Sequence, residues 1–300
     1  MSVLFHHYLC GRIAAEWLIN MKNNVPVNIP AEKLHPFEGH PFKVLDNDEM
    51  NQLIESVQEL GILSPLIVRP KENTTDEYEI VSGHRRFRAA VKAGIQNIPA
   101  FVVPMDRDAA AIALVDSNLH REHILPSEKA FAYKLKMEAL SHQGTSSQLG
   151  TKLRSDEMIA QQSGDSRNQV QRYIRLTNLI PEILQKVDEG QIALTPAVEL
   201  SYLTEQEQQD LLEAIECEDC TPSLSQAVKL KKLSQAGALD VDTIVTLMAQ
   251  PKANQAEKIS FRVDDLRKFF PKSYDTTQIQ ETILNLLNDY QKRRQREQSR

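Results

Sequence analysis

Cysteines and long apolar runs are scarce in this sequence, and both shortages exclude whole classes of protein. The 300 residues include three cysteines, Cys10, Cys217 and Cys220, which are too few and too unevenly placed for a disulfide framework. No stretch approaches the roughly 18 uninterrupted apolar residues that a membrane helix needs. Arg12 and Glu16 interrupt the partly apolar N-terminal run, so we expect no signal peptide there. We therefore expect a cytoplasmic protein that makes no use of a membrane.

An excess of basic residues is also lacking, which limits what net charge can indicate. Lys and Arg number 35 against 41 Asp and Glu, so the formal net charge is −6. Any phosphate-binding surface must therefore be a local patch and not a property of the whole molecule. Apolar residues make up 41% and charged residues 25%, which is typical of a globular chain, and the length favours two or three modules.

The first part of the chain has no clear periodicity. We interpret residues 1–26 as an N-terminal extension, and our hypothesis is that Met21 is the natural start; N-terminal sequencing of protein made from its own locus would test this. Residues 27–42 are rich in proline, histidine and glycine. Such a composition is typical of an extended entry segment and not of a regular element.

Residues 27–142 have the pattern of a small α/β domain. Gly61 suits the end of a helix, and Gly83 closes a strand and precedes another helix. The predicted elements are a helix over 50–60, strands at 66–68 and 78–82, a helix over 84–93, a strand at 98–103, and two helices between 106 and 141 that are separated at Pro126. This order predicts a compact α/β fold.

The composition changes twice after this domain. Residues 143–154 are rich in Gly, Ser, Thr and Gln, which is typical of a linker. Residues 155–250 are almost entirely helical in pattern and predict an all-α middle domain. Residues 256–300 combine a strand-like alternation at 259–263 with a helical apolar stripe and a basic tail, which predicts a small α+β dimerisation domain.

Gly83 is followed directly by a cluster of arginines. The glycine leaves the unpaired N–H groups at a helix start open to an oxyanion. Arg85, Arg86 and Arg88 place guanidinium groups beside those N–H groups, which suits a ligand with several phosphates. A solvated helix face or a DNA-backbone contact is the alternative interpretation. Because cations at a helix N-terminus oppose the helix dipole, the cluster favours a bound anion such as a triphosphate.

A helix-turn-helix is predicted within the all-α domain. Ala160, Gly164 and Val170 have the spacing of a small residue between two helices, a glycine in the turn and an anchor on the second helix. The second helix lacks acidic residues, and its Arg, Asn and Gln side chains are those that pair with base edges in the major groove. A solvated helix in an ordinary bundle is the alternative. The predicted base contacts are Arg167, Asn168, Gln171 and Arg172; Arg175 and Lys152 are predicted phosphate contacts, and Ser166 and Gln169 are included in the DNA-binding set.

The segment from Gly83 to Ala89, Gly-His-Arg-Arg-Phe-Arg-Ala, is similar to the G-E-R-R-x-R-A signature of the ParB family of partition proteins. Three further segments resemble the other N-terminal motifs of that family in the same order: Pro41-Phe42, residues 60–69 and residues 117–122. The resemblance covers roughly residues 30–230. It implies a sulfiredoxin-like α/β domain, a helix-turn-helix domain and a C-terminal dimerisation domain.

The resemblance also implies ligands and partners. It implies that CTP and magnesium bind to the N-terminal domain and that nucleotide closes a homodimer into a clamp on double-stranded DNA. It also implies that the DNA carries a centromere-like site and that a ParA-type ATPase is the partner. By position, the phosphates would contact Gly83, His84, Arg85, Arg86 and Arg88. The nucleoside would face Gly61, Ser64, Pro65 and Leu66. Ser117 and Asn118 would complete the site, with Asn118 as a magnesium ligand.

Two positions depart from the family pattern. His84 stands where the family usually has Glu, and Ser117 replaces a Glu that normally helps Asn118 to hold the metal. Loss of a carboxylate weakens a magnesium site, because this cation prefers anionic oxygen. Asp116 is the neighbouring carboxylate that could substitute. We expect nucleotide binding, with at most weak hydrolysis.

Other functions are compatible with the same sequence features. A transcriptional regulator or a nucleoid-occlusion factor would use the same DNA chemistry. Sulfiredoxin and a free-serine kinase share the N-terminal fold, so an enzyme is a further alternative. Sulfiredoxin-like chemistry needs a cysteine in the phosphate turn, and the chain has none between Cys10 and Cys217. The C-x-x-C spacing at 217–220 lacks a second ligand pair at zinc-site distance, so we interpret it as coincidence.

Overall fold

The computed structural model describes residues 25–119, 121, 123–142, 154–250, 266, 268–271 and 274–298. These fall into two compact units that divide after Gln250. Lys152, Met21, residues 143–153 of the predicted linker 143–154, and the predicted strand at 259–263 lie outside the described residues.

Secondary-structure elements follow the predicted order of an α/β part and then an all-helical part. The strands are β1 (Val27–Pro30), β2 (Leu34–Pro36), β3 (Leu66–Pro70), β4 (Tyr78–Ser82) and β5 (Asn97–Val102). The helices are α1 (Asp48–Leu60), α2 (His84–Lys92), α3 (Arg107–Asn118), α4 (Pro126–His142), α5 (Ser155–Ser163), α6 (Arg167–Arg175), α7 (Pro181–Asp188), α8 (Leu194–Leu200), α9 (Glu205–Glu218), α10 (Leu224–Gln235), α11 (Val241–Met248) and α12 (Thr276–Gln298).

The five described strands of the α/β part form one mixed sheet. The strand order is β1-β5-β3-β4-β2, with antiparallel pairing of β1 with β5 and of β3 with β4, and parallel pairing of β5 with β3 and of β4 with β2. The central strands β3, β4 and β5 are those that the sequence predicted. Leu66, Ile80 and Ile98 are completely buried in the core between this sheet and helices α1 and α2. The sheet thereby holds the end of β4 and the start of α2 in a fixed position.

The interpretation of residues 27–42 as an irregular entry segment was wrong. Val27–Pro30 and Leu34–Pro36 are the two edge strands of the sheet. Proline is tolerated at an edge because a strand there pairs on one side only, and strands of three or four residues carry too little alternation to be recognised in a sequence. The residues that follow β2 run beside the N-terminus of α2.

Helix α1 has the boundaries that its capping residues dictate. The Asn47 side chain accepts a hydrogen bond from the Met50 N–H at 3.1 Å, and Gly61 ends the helix with a positive φ of 70°. These are the usual start and stop signals of a helix. Met50 and Val57 lie on its buried face. The predicted helix is therefore confirmed.

Residues 155–250 form the predicted all-α part. Pro181 occupies the first position of α7, and Pro196 lies in the first turn of α8, where a missing N–H costs nothing. The core contains Leu176, Ile183 and Leu200, all completely buried. Helix α4 packs on α3 and also on α5, α6 and α7. The α/β part and the helical part therefore share this helix within one compact unit.

The second unit is described mainly through α12. Ile279 is buried, whereas the apolar side chains of Leu284, Leu286, Leu287 and Tyr290 are each more than half exposed. The helix confirms the predicted apolar stripe, and its role in dimerisation stays a prediction. Among the described residues, no helix is long and apolar enough to cross a membrane.

Candidate functional site

The junction between β4 and α2 has a backbone geometry that requires glycine. Gly83 has φ 107° and ψ 22°, a left-handed conformation that other residues rarely adopt. A Cβ atom built on Gly83 would lie 3.0 Å from Leu66 Cγ and 3.2 Å from Arg86 Nη2. The absent side chain leaves the first N–H groups of α2 open to an anion, as the sequence predicted.

A cleft of about 240 Å³ opens in front of this junction. It is lined by His40, Phe42, Lys43, Val44, Ser82, Gly83, His84, Arg85, Arg86, Ser117, Asn118 and Arg121. The lining includes one lysine and three arginines but no carboxylate. Because a cluster of cations around a helix N-terminus is stabilised by a bound anion, the cleft suits a ligand that carries several phosphates.

Arg86 is fixed at the back of the cleft by the backbone of the preceding loop. Its Nη1 donates hydrogen bonds to the carbonyl oxygen of Ser64 and, at 2.9 Å, to that of Pro65. Burial lowers the pKa of the guanidinium. Ser64 and Pro65 therefore position Arg86 and do not line the cleft themselves.

Arg85 and Arg88 lie on the same helix but face different surroundings. Arg85 lines the cleft and also forms an ion pair with Glu49, with Nη2 and Oε2 3.0 Å apart. Arg88 donates from Nε to Asp46 Oδ1 at 2.8 Å and does not line the cleft. Hydrogen bonds from Arg88 and Lys92 hold the pKa of the Asp46 carboxyl far below its usual range.

The residues predicted to face the nucleoside lie behind or beside the cleft. None of the four lines it: Gly61 ends α1, Ser64 and Pro65 hold Arg86, and Leu66 packs under Gly83. Their predicted contact with a nucleoside stays a prediction. The structure instead brings His40, Lys43 and Arg121 into the cleft. Sequence reasoning missed these three as ligands, although Arg121 belongs to a motif that resembles the family.

His84, which stands where the family usually has Glu, lies against a second histidine. The ring centroids of His84 and His40 are 3.9 Å apart, and His84 Nε2 accepts a hydrogen bond from the Phe37 N–H at 3.4 Å. Burial lowers the pKa of His84 to about 3, with further lowering by His40 and by the positive charge of Arg121. Burial also lowers the pKa of His40. Both rings are therefore neutral near pH 7.

These histidines predict a loss of stability in mild acid. A folded-state pKa below the usual value of about 6.5 means that the unfolded chain takes up protons first as the pH falls. The free energy of unfolding is therefore unaffected by these histidines above about pH 6.5. Below that pH it decreases progressively towards pH 3, by at most roughly 1.4 kcal/mol per pH unit for each histidine. Urea unfolding between pH 7.5 and 5 should show this slope, and it should be smaller in His84→Gln. An equal slope in His84→Gln and in a variant of the exposed His142 would contradict the assignment.

Asn118 and Ser117 were the predicted metal-side residues. The Asn118 amide nitrogen donates to Leu114 O at 2.7 Å and to Ser117 Oγ at 3.2 Å, which leaves its side-chain oxygen as the atom that could ligate a cation. Asp116 points to α4, where its carboxylate pairs with Lys136. No group of three or more His, Cys, Asp or Glu among the described residues could hold a metal. Magnesium is usually held by one or two protein ligands together with substrate phosphates, so ligation by Asn118 stays a prediction.

Helices α5 and α6 form the predicted helix-turn-helix. Gly164 ends α5 with a positive φ of 74°, and the Ser166 side chain accepts a hydrogen bond from the Gln169 N–H at 3.2 Å at the start of α6. Ala160 and Val170 are buried where the two helices meet. The small residue, the turn glycine and the anchor therefore occupy the predicted positions.

The predicted DNA-binding side chains in the first half of α6 differ in their partners and exposure. Arg167 and Gln171 both donate to Asp156, at 2.8 and 3.0 Å. Asn168 is exposed and Gln169 is half-buried. The amide of Asn168 is therefore open to solvent, whereas Asp156 holds Gln171 and Arg167, and Arg167 Nη1 also pairs with Glu157 Oε1 at 3.7 Å.

Arg172 and Arg175 extend the same surface towards α8. Arg172 Nη2 donates to Thr195 Oγ1 at 2.7 Å. The guanidinium of Arg175 lies 3.9 Å from the centre of the Tyr202 ring, and Lys231 lies 3.6 Å from the same centre. Lys231 also pairs with Glu199 at 2.9 Å, and Arg172 and Arg175 are half-buried. The DNA contacts predicted for Arg172 and Arg175 stay predictions.

Two protein families match the sequence. The ParB N-terminal domain matches residues 18–119, and the ParB HTH domain matches residues 122–235. The chromosome-partitioning protein Spo0J of Thermus thermophilus is 36% identical over 167 residues, which are 55% of this chain and 56% of that protein. The nucleoid occlusion protein of Listeria innocua is 33% identical over 192 residues, which are 63% of this chain and 62% of that protein. The chain thus spans little more than half the length of these relatives.

Two solved structures of ParB from Caulobacter crescentus, both C-terminally truncated, are also similar. One is complexed to the centromeric parS site, is 26% identical with a TM-score of 0.40, and the match covers 74% of this chain and 98% of the other. The other is complexed with CTP-gamma-S, is 28% identical with a TM-score of 0.31, and the match covers 64% of this chain and 99% of the other.

Fold and site together define a class of protein in which an α/β part with an anion-binding cleft is joined to a helix-turn-helix part. The two domain families match these same two parts in the same order. The chain belongs to the ParB family of partition proteins, as its motifs predicted.

Proposed function

We propose that this protein binds a centromere-like site on double-stranded DNA as a homodimer, uses CTP to form a clamp, and supports segregation of a plasmid, chromosome or mobile element. The observation that carries the proposal is the cation-lined cleft at Gly83, in the same compact unit as the helix-turn-helix. The chromosome-partitioning protein Spo0J, named above as a relative, supports the same function. The protein acts as a binding protein, with weak CTP hydrolysis at most.

The cleft supports a polyphosphate ligand through its charge and its backbone. Lys43, Arg85, Arg86 and Arg121 line the cleft at the open N–H groups of α2. The carboxylates that pair with Lys43 and Arg85, those of Asp188 and Glu49, lie outside the lining, and an anion would have to compete with them. Guanidinium groups bind phosphate oxygens with paired hydrogen bonds. Because the described lining of the cleft contains no carboxylate for magnesium, the side-chain cations supply most of the counter-charge, and binding should persist when magnesium is chelated.

The homodimer and the ATPase partner are supported by different observations. The exposed apolar side chains of α12, among them Leu286 and Leu287, are the surface that a second copy would cover. The basic residues at the end of this helix would add nonspecific affinity for DNA phosphates. A ParA-type ATPase as partner rests on membership of the family.

A second candidate function is nucleoid occlusion or transcriptional regulation. The Listeria relative carries the name nucleoid occlusion protein and is similar over a longer stretch than the Thermus partition protein. Genome-wide crosslinking to DNA would separate the candidates in part. A tight peak with broad flanking spread supports a loaded sliding clamp, whereas a narrow peak without spread supports a static regulator.

Arg85 and Arg88 provide a matched test of the cleft, since they lie one turn apart on α2. Arg85→Ala should weaken CTP binding by roughly tenfold or more, because a hydrogen bond to a charged group contributes about 1.5–3 kcal/mol. Arg88→Ala should bind CTP almost as the wild type does, because Arg88 faces Asp46 outside the cleft. Isothermal titration with CTP, ATP and GTP, each with magnesium and with a chelator, measures the effect. Equal losses in both variants would place the nucleotide elsewhere.

A further inference from the structure

The first helix of the helix-turn-helix contributes a buried carboxylate to the surface that α6 presents. Asp156, the second residue of α5, is only 2% exposed. Its Oδ2 accepts hydrogen bonds from Arg167 Nε at 2.8 Å and from Gln171 Nε2 at 3.0 Å. Its Oδ1 accepts from the backbone N–H of Glu157 at 3.1 Å and lies 3.3 Å from Arg154 Nε. A single carboxylate therefore joins two of the four predicted base-reading side chains to the first helix.

The remaining atoms of these two side chains are the ones that read bases. The hydrogen bond from Arg167 to Asp156 uses Nε, and Nη1 lies 3.7 Å from Glu157 Oε1, an ion pair longer than a hydrogen bond. The two terminal nitrogens therefore keep hydrogens for the fork that matches the O6 and N7 atoms of guanine. A bond through one hydrogen of Gln171 Nε2 leaves the other hydrogen and the carbonyl oxygen, which match the N7 and N6 atoms of adenine. The Arg167 side chain is 43% exposed, so its far end reaches solvent.

The contacts of Asp156 favour the ionised form of its carboxyl group. Burial raises the pKa of the Asp156 carboxyl, but the hydrogen bonds from Arg167 and Gln171 outweigh burial and leave the pKa below its usual value. A carboxylate that is buried and multiply hydrogen-bonded holds its partners in one orientation. Immobilising long side chains before binding removes an entropic cost of roughly 0.5–1.5 kcal/mol for each of them.

We propose that Asp156 is a positioning residue for DNA sequence recognition, which fixes Arg167 and Gln171 on α6 without touching DNA. The proposal rests on the proposed DNA-binding function and deepens it. Without Asp156, the two side chains would still carry their charge or amide to the groove but would sample several orientations. Sequence choice therefore depends on a residue that makes no contact with the DNA itself.

The test compares sequence preference with nonspecific affinity. The full-length wild-type protein, Asp156→Asn and the control Asp210→Asn would each select from a randomised duplex library, and binding to the preferred duplex and to an unrelated duplex would then be measured. Asp210 is an acidic residue on α9 whose carboxylate bonds to Gln206, so its variant removes the same charge from the same part of the protein. In Asp156→Asn the ratio of specific to nonspecific affinity should fall roughly tenfold, near the lower limit for one bidentate base contact.

The change in nonspecific DNA affinity in Asp156→Asn distinguishes a positioning role from a purely structural one. Loss of a negative charge beside DNA should leave nonspecific affinity unchanged or slightly raised in Asp156→Asn. A parallel fall of both affinities would overturn the proposal, because it would indicate a structural role alone. An unchanged ratio in Asp156→Asn, or an equal fall in Asp210→Asn, would also overturn it. A wild-type protein that selects no sequence at all would instead contradict the proposed function, and the inference with it.

A measurement on the wild-type protein keeps the proposal testable if Asp156→Asn does not fold. NMR relaxation of arginine Nε–H groups reports how firmly each side chain is held. The Nε–H of Arg167, assigned with Arg167→Lys, should be nearly as rigid as the backbone, whereas that of Arg294 in the exposed part of α12 should be mobile. An Arg167 Nε–H that is as mobile as that of Arg294 would refute the proposal.

Discussion

Replacement of Gly83 by alanine should reduce CTP affinity by more than tenfold and lower the free energy of unfolding by about 1–3 kcal/mol, the cost of holding a residue with a side chain in a sparsely populated backbone region. At φ 107° an alanine is strained, and its Cβ would meet Leu66 Cγ at 3.0 Å and Arg86 Nη2 at 3.2 Å. Relief of these contacts requires movement of Arg86 or of the α2 N-terminus. Both are parts of the proposed phosphate site, so stability and binding should decrease together.

Gly94 provides the control that separates strain from the cleft. It follows the same helix, has a φ of 76°, and a Cβ added to it would meet no atom within 4 Å. Gly94→Ala should therefore cost roughly 1 kcal/mol of stability through backbone strain and leave CTP affinity unchanged. Urea unfolding and isothermal titration on both variants measure the two quantities. Unaltered CTP affinity in Gly83→Ala would show that the phosphates bind elsewhere.

Features that depend on neighbouring residues in the chain were predictable from the sequence. The strand, the glycine and the arginines of the β4–α2 junction are contiguous, so their local geometry follows from backbone chemistry. The same holds for the turn of the helix-turn-helix, where Gly164 and Val170 are six residues apart. In both places the pattern and the structure agree because few conformations satisfy the local constraints.

Features that depend on distant segments were not predictable. His40, Lys43 and Arg121 reach the cleft from a loop after β2 and from the segment after α3. Without the resemblance of residues 117–122 to a family motif, the residue types around these three do not indicate a ligand. From the sequence, Arg85 and Arg88 were both predicted to contact phosphates. In the structure Arg88 donates a hydrogen bond to Asp46 and does not line the cleft. Only tertiary packing decides which side chains of one helix turn face a ligand.

Asp156 illustrates a different reason for a missed role. An acidic residue in the first turn of a helix is expected to interact with the helix dipole, so the sequence alone gives no reason to assign Asp156 a further role. In the structure its carboxylate is buried and bonded to two side chains of the next helix. The interaction with the helix dipole is thus a sufficient local explanation for Asp156, and its contacts with the next helix are visible only in the structure.

Helix α4 contains a comparable case in Lys136, whose side chain is 1% exposed. Its ammonium bonds to Asp116 on α3 and to the side-chain oxygen of Gln162 on α5. One lysine thus joins the helix that carries Ser117 and Asn118 to the first helix of the helix-turn-helix. A buried lysine is indistinguishable from a surface lysine in a sequence, because most lysines are exposed.

Lys136→Ala should destabilise the protein by about 3 kcal/mol, since removal of one partner of a buried ion pair and loss of a packed aliphatic stem both carry a cost. Asp116 is one-third exposed, so water solvates part of its charge and keeps the cost at the lower end of the usual range. Lys134→Ala is the matched control, because Lys134 is an exposed residue of the same helix, and it should change stability by less than about 0.5 kcal/mol. Urea unfolding measures both.

Lys136→Met separates the charge from the packing. The methionine keeps an unbranched apolar stem and fills most of the space, so it should recover part of the stability that alanine loses. It cannot restore the bonds to Asp116 and Gln162, and amide exchange in α5 should therefore become faster relative to exchange in the sheet. Equal protection of α5 in the methionine variant and in the wild type would show that apolar packing, and not the buried ammonium, holds the helix-turn-helix to the α/β part.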